Sequence, residues 1–174
     1  KVGDGLDADV TMGPVISQAA KERIENMIAV GVEEGAELLV DGRGHQVEGY
    51  EKGYWVGPTL FDKVKPDMRI AKEEIFGPVL AIVHVKDLDE AIAFLNASNY
   101  GNATTIFTSS GKAAREFKVR CNPAMLGVNI GVAAPMAFFP FGGAKDSFFG
   151  DTKAHGPDAI SFYTDRKVSI ERWF

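Results

Sequence analysis

Residues 81–130 read AIVHVKDLDE AIAFLNASNY GNATTIFTSS GKAAREFKVR CNPAMLGVNI, and this stretch decides the fold. Ala81–Val85 is a short, largely apolar run that predicts a strand. Asp87 stands where a helix N-cap belongs, and Glu90, three residues on, completes a capping-box pattern. Leu88, Ala91, Ile92 and Leu95 recur at helical spacing, so a helix over about 88–99 buries one face. Thr104–Thr108 is a second strand, rich in β-branched residues. Ser110 opens a second helix over 110–121 with Ala113, Phe117 and Cys121 on one face, and Asn122-Pro123 stops it. Met125–Ile130 is the third strand. Strand, helix, strand, helix, strand predicts an α/β fold with a parallel sheet and right-handed crossovers.

Outward from this unit the pattern is shorter-ranged. Lys1–Pro14 is polar and Gly-rich and reads as an exposed loop. Ser17 is the expected cap of a helix carrying Ala20, Ile24, Met27 and Ile28 on one face and Lys21, Glu22 and Glu25 on the other, with Gly35 near its end. Glu37–Val40 is a strand candidate, and Asp41–Gly53 a surface loop. Tyr54–Val64 is strand-like, interrupted at Gly57-Pro58. Gly131–Gly156 has no regular period. Ile160–Trp173 alternates, with Phe162, Val168 and Ile170 among polar residues, and predicts a final long strand.

Bulk properties narrow the function classes. A chain of 174 residues suits one domain of ordinary size, able to bury roughly 70% of the surface exposed when unfolded. Hydrophobic residues at 45% and charged residues at 25% argue against disorder. The net charge of −5, without a basic cluster, argues against a nucleic-acid partner. No apolar run approaches the ~20 residues of a membrane span, so no membrane partner is expected. The single cysteine, Cys121, excludes an internal disulfide and fits a reducing compartment. Lys1–Asp9 does not resemble a signal or transit peptide. The chain begins with Lys rather than Met, and the motifs favour truncation upstream.

Four features carry chemistry. In Lys72-Glu73-Glu74-Ile75-Phe76-Gly77-Pro78 two carboxylates precede a Gly-Pro turn. On spacing alone this is a charged turn before a strand. It is also a backbone that can approach a ligand beside a carboxylate able to accept from two ribose hydroxyls. Pro140-Phe141-Gly142-Gly143-Ala144-Lys145 is a Gly-permitted turn next to an aromatic plug. Asn129 ends a strand at the edge where such sheets bind ligands, although an Asn there also satisfies loop carbonyls. Cys121 shares the buried helix face with Ala113 and Phe117, which makes it a small inert hydrophobe with a raised pKa. Arg23 reads as helix-surface charge. His45, His84 and His155 lie far apart, without metal-ligand spacing, so no metal is expected.

As literal strings, these segments resemble the aldehyde dehydrogenase family. Lys72–Pro78 resembles its motif that touches the nicotinamide ribose, which implies cofactor contacts for Glu74 and Phe76. Pro140–Lys145 resembles its Pro-Phe-Gly-Gly-x-Lys segment, which implies that Phe141 walls the substrate pocket near Asn129. Ala144 stands where an aromatic residue is usual in that segment. Gly127–Pro135, with Asp146-Ser147-Phe148-Phe149-Gly150-Asp151 where many relatives continue Ser-Gly, is similar to the methylmalonate-semialdehyde branch, whose members pass an acyl group to coenzyme A. Met12-Gly13-Pro14 looks like the segment downstream of the family's nucleophile. Lys167–Trp173 looks like its C-terminal strand, which joins an oligomerisation sheet. Arg23 falls where relatives place a group near the ribose.

The resemblance runs along essentially the whole chain. It implies a Rossmann-like, partial catalytic domain over 1–158 and an oligomerisation strand over 159–174. It also implies NAD, an aldehyde substrate, a homo-oligomer (dimer or tetramer), and a cytoplasmic location, or the mitochondrial matrix in a eukaryote. The nucleophilic Cys and the Gly-containing phosphate turn are expected upstream of Lys1. No catalytic residue is therefore expected in this chain, and the isolated chain is expected to be inactive. The alternatives are a non-catalytic assembly module working through its last strand, or a fragment of a non-acylating relative.

Overall fold

The computed structural model describes residues 1–150, 152–153 and 155–174. The chain forms two compact units, Lys1–His84 and Val85–Phe174.

The first unit begins its regular structure with α1 (Gln18–Glu33). The Ser17 side chain accepts from the Ala20 N–H at 3.1 Å, satisfying one of the unpaired donors of the first turn. At the other end Gly35 adopts φ +89°, and the N–H groups of Gly35 and Ala36 donate to the carbonyls of Val32 and Gly31 at 3.0 Å each. This left-handed closure suits glycine, which has no Cβ to oppose it. Ile24, Met27 and Ile28 face a three-stranded sheet made of β1 (Glu37–Val40), β2 (Thr59–Asp62) and, after the single-turn helix α2 (Arg69–Lys72), β3 (Val79–Ala81). β1 pairs antiparallel with β2, with a register shift between Leu38 and Val40, and β3 pairs parallel with β2. Phe61 on the central strand is fully buried with Ile24 and Ile28. Val64, Met68, Ile70 and Ile75 complete that core.

The second unit contains α3 (Leu88–Ala97), β4 (Ala103–Ile106), α4 (Gly111–Arg120), β5 (Met125–Val128) and α5 (Asp158–Tyr163). Asp87 and Ser110 cap α3 and α4 through side chains that accept from Glu90 N–H and Ala113 N–H. β4 and β5 run parallel in register from Ala103↔Met125 to Ile106↔Val128. Ile92, Phe117 and Cys121 form the buried core, flanked by Leu88, Leu95, Ile106 and Leu126. Arg120 ties the helices together, donating to Asp89 at 2.6 Å. No described helix is long and apolar enough to cross a membrane.

Two expectations need correction. The strand expected over Ala81–Val85 is Val79–Ala81, and its ladder is with β2 rather than β4. Hydrogen bonding between the two runs from Thr59 N–H to Pro78 O, through Ile82 N–H to Phe61 O, and ends with Val64 N–H to Ile82 O. The partner strand thus sets the extent, starting just after the Gly77-Pro78 turn. The long strand expected over Ile160–Trp173 begins instead as α5, and no described residue beyond Tyr163 lies in a ladder. Alternation gives an extended, amphipathic backbone, but a strand needs a hydrogen-bonding neighbour. Val168, Ile170, Trp173 and Phe174 are each at least 85% exposed.

Candidate functional site

In the first unit α2 separates the two carboxylates of the 72–78 segment by role. Its one turn puts Arg69 four residues before Glu73, and the guanidinium donates to both Glu73 oxygens at 2.7 and 3.1 Å. That ion pair holds the Glu73 carboxyl below its usual range. Glu74 is exposed and makes no side-chain hydrogen bond or ion pair among the described residues. Ile75, the next residue, is buried in the core at 8% exposure, which pins the segment between two outward-facing neighbours.

Phe76 is 78% exposed with φ +52°. A bulky residue in the left-handed region costs about 1–3 kcal/mol and persists only where its surroundings hold it. Two contacts from α1 do so. The Arg23 guanidinium donates to the Ile75 carbonyl in a short hydrogen bond and to the Phe76 carbonyl at 3.4 Å. Ile24, the next residue along α1, lies so close to Gly77 that an added Cβ would stand 2.6 Å from its Cδ1. The segment therefore presents Glu74 and Phe76 outward from a backbone seated on one helix.

The other two expected site residues lie in the second unit. Asn129 follows β5 with φ +57°. Its Oδ1 accepts from Thr108 N–H at 2.8 Å and its Nδ2 donates to Thr108 O at 3.0 Å. Its own N–H donates to Ile106 O at 2.8 Å, so the amide extends the β4–β5 pairing past the last ladder residue. Thr105 Oγ1 adds a bond to Ile130 O at 2.8 Å. The amide thus does what a loop-satisfying Asn does. Phe141 is 42% exposed and lies against the His155 ring, centroids 5.6 Å apart. Asp151, which closes the 146–151 string, lies outside the described residues.

Sequence reasoning missed one residue here and misjudged Arg23. Lys145 has φ +55°, and its ammonium donates to Asn96 O at 2.8 Å and Ser98 O at 2.6 Å. It thereby closes the carbonyl end of α3 and fixes the end of the Pro140–Lys145 segment. Cations near helix C-termini are a known signal. Here the cation comes from 47 and 49 residues away, beyond any local pattern. Cys121 behaves as expected: it is 8% exposed, and burial pushes its thiol above the ordinary value.

The sequence model of the aldehyde dehydrogenase family matches residues 1–169. The chain belongs to the aldehyde dehydrogenase family. Among curated members it is 53% identical over 173 residues to malonate-semialdehyde dehydrogenase 2 of Shouchella clausii, matching 99% of this chain and 35% of that protein. The solved methylmalonate-semialdehyde dehydrogenase of Oceanimonas doudoroffii superposes with a TM-score of 0.95 at 44% identity, over 99% of this chain and 36% of that one. An aldehyde dehydrogenase of Mycobacterium tuberculosis, solved with NAD+, matches at a TM-score of 0.84 and 36% identity, over 95% of this chain and 33% of that one. The chain thus spans about a third of the length of the aldehyde dehydrogenases it matches. Those matches agree with the α/β architecture and its parallel strand pairs.

Proposed function

We propose that this chain is the part of an NAD-dependent malonate- or methylmalonate-semialdehyde dehydrogenase that holds the nicotinamide ribose and lines one side of the substrate pocket. The observation that carries the reading is the asymmetry of the two adjacent carboxylates. Glu73 is engaged by Arg69, whereas Glu74 is exposed and without a hydrogen-bonding partner among the described residues. A free carboxylate on a rigidly seated turn fits a vicinal diol, because its two oxygens can each accept from one hydroxyl. Phe76, exposed beside it, offers an apolar face to the same sugar or ring. NAD, when bound, supplies the hydride acceptor.

The residues of this chain bind and orient; the nucleophile of the reaction is assigned to a cysteine upstream of Lys1. In the full-length enzyme that cysteine carries the acyl group as a thioester and passes it to coenzyme A. Phe141 contributes an apolar wall to the aldehyde pocket. Asn129 borders it by fixing the end of β5, its amide being already occupied by Thr108. The names of the similar proteins, and the NAD+ in the Mycobacterium tuberculosis structure, support this reading. Residues 159–174 are the oligomerisation segment of a dimer or tetramer on the same reading, with the apolar side chains of Val168, Ile170, Trp173 and Phe174 beyond α5 exposed for a partner.

Glu74→Gln in the full-length protein tests the assignment. The change keeps the shape and removes the charged acceptor, and charge-assisted hydrogen bonds are roughly twice as strong as neutral ones. The KM for NAD should rise and hydride transfer should slow, since a misplacement of ~1 Å can cost ~100-fold. Unchanged cofactor affinity together with unchanged turnover would defeat it.

A further inference from the structure

Phe76, an exposed aromatic residue at φ +52°, needs its surroundings to hold it. The peptide carbonyls of Ile75 and Phe76 both turn toward α1, where two such dipoles repel unless a cation lies between them. The Arg23 guanidinium lies there, donating to both. Its planar fork of donors can serve two acceptors at once, which a lysine ammonium on a flexible stem does less well. Ile24 seats Gly77 from the same turn of helix, and Ile75 is locked in the core. The backbone of 75–77 is thus held at three consecutive residues, and only the side chains of Glu74 and Phe76 are left outward.

We propose that Arg23 is a positioning residue for the cofactor: it sets the geometry of Glu74 and Phe76 through their backbone. This rests on the reading of Glu74 and Phe76 as ribose contacts. Two consequences separate it from neighbouring ideas. A residue that acts through Glu74 has little left to lose once Glu74 is disabled, whereas a direct ribose contact loses its own share regardless. A residue that merely supports the fold disturbs aldehyde and NAD kinetics alike.

The test uses full-length protein with Arg23→Met, Arg23→Lys, Glu74→Gln and the double variant Arg23→Met/Glu74→Gln. Hydrogen exchange of the peptide covering 73–79 reads the clamp directly, and steady-state kinetics read its consequence. In Arg23→Met, exchange of that peptide should quicken by about tenfold while the peptides of β2 and β3 keep their protection. The KM for NAD should rise with little change in the KM for aldehyde, and Arg23→Lys should fall between Met and the parent. The double variant should be no worse than the poorer single variant by more than about twofold. Unchanged exchange of 73–79 in Arg23→Met overturns the clamp, whatever the kinetics. Faster exchange with unchanged NAD kinetics, while Glu74→Gln is impaired, overturns the positioning role. Multiplicative effects in the double variant overturn action through Glu74. If Glu74→Gln alone leaves NAD kinetics unchanged, the ribose assignment fails and the positioning role falls with it, while the exchange result still decides whether Arg23 holds the loop.

Discussion

Asn129 allows the sharpest separation between a structural and a ligand-binding role. Three variants divide its contributions. Asn129→Ala removes both bonds to Thr108, at 2.8 and 3.0 Å, and leaves a Cβ-bearing residue at φ +57°. A left-handed conformation costs about 1–2 kcal/mol for an ordinary residue, and Asn is among the few that tolerate it. Each neutral hydrogen bond is worth about 0.5–1.5 kcal/mol net, and the lower end applies here because both bonds lie at the exposed surface and water can replace the amide. The sum for Ala is about 2–3 kcal/mol. Asn129→Gly relieves the conformational part and keeps the loss of both bonds, so it should cost about 1–1.5 kcal/mol. Asn129→Asp keeps the acceptor for Thr108 N–H but turns an oxygen toward Thr108 O, so it should lie between the parent and Ala. Urea unfolding at neutral pH, read as midpoints at a common slope, gives the three values. Equal costs for Ala and Gly would refute the conformational argument. Losses below about 0.5 kcal/mol in all three, with a raised aldehyde KM, would show that the amide serves a substrate instead.

Three further outcomes follow from the same contacts. Gly77→Ala places a methyl 2.6 Å from Cδ1 of the fully buried Ile24, and should cost about 1–3 kcal/mol by overpacking; an unchanged urea midpoint would contradict the tight seat. Cys121, buried and with its thiol pushed up, should alkylate far more slowly at pH 7 than a free thiol, and at full speed in denaturant. Because its folded pKa is raised, the stability it lends is complete at neutral pH and declines once the unfolded thiol ionises above about pH 8.5. Rapid labelling of native protein, or aldehyde turnover by the 174-residue chain that vanishes in Cys121→Ala, would show the cysteine to be functional. Removing the residues after Thr164 should lower the oligomeric state seen by light scattering; an unchanged molar mass would sink the assembly role of that segment.

Local chemistry made much of the fold legible. Ser17, Asp87 and Ser110 each announce a helix start because a short polar side chain can satisfy an orphan N–H within its own turn. Gly35 announces a helix end for a similar local reason. Strands proved harder where their limits depend on a distant partner: β3 starts at Val79 because β2 offers bonds from Thr59 onward. α2 escaped notice because one turn shows no periodicity. The site followed the same divide. Glu74 and Phe76 lie within one recognisable string, but which of two adjacent glutamates is free depends on Arg69. The guanidinium that shapes their turn comes from 52 residues away. Nothing in the local pattern of Lys21-Glu22-Arg23 distinguishes that arginine from a solvated charge.

The most direct test of the central claim is a crystal structure of the full-length protein with NAD, read at one pair of distances. The account predicts that the two Glu74 carboxylate oxygens lie about 2.5–3.0 Å from the two hydroxyls of the nicotinamide ribose, with Glu73 still held by Arg69. A ribose bound by other groups, with Glu74 turned to solvent, would contradict it.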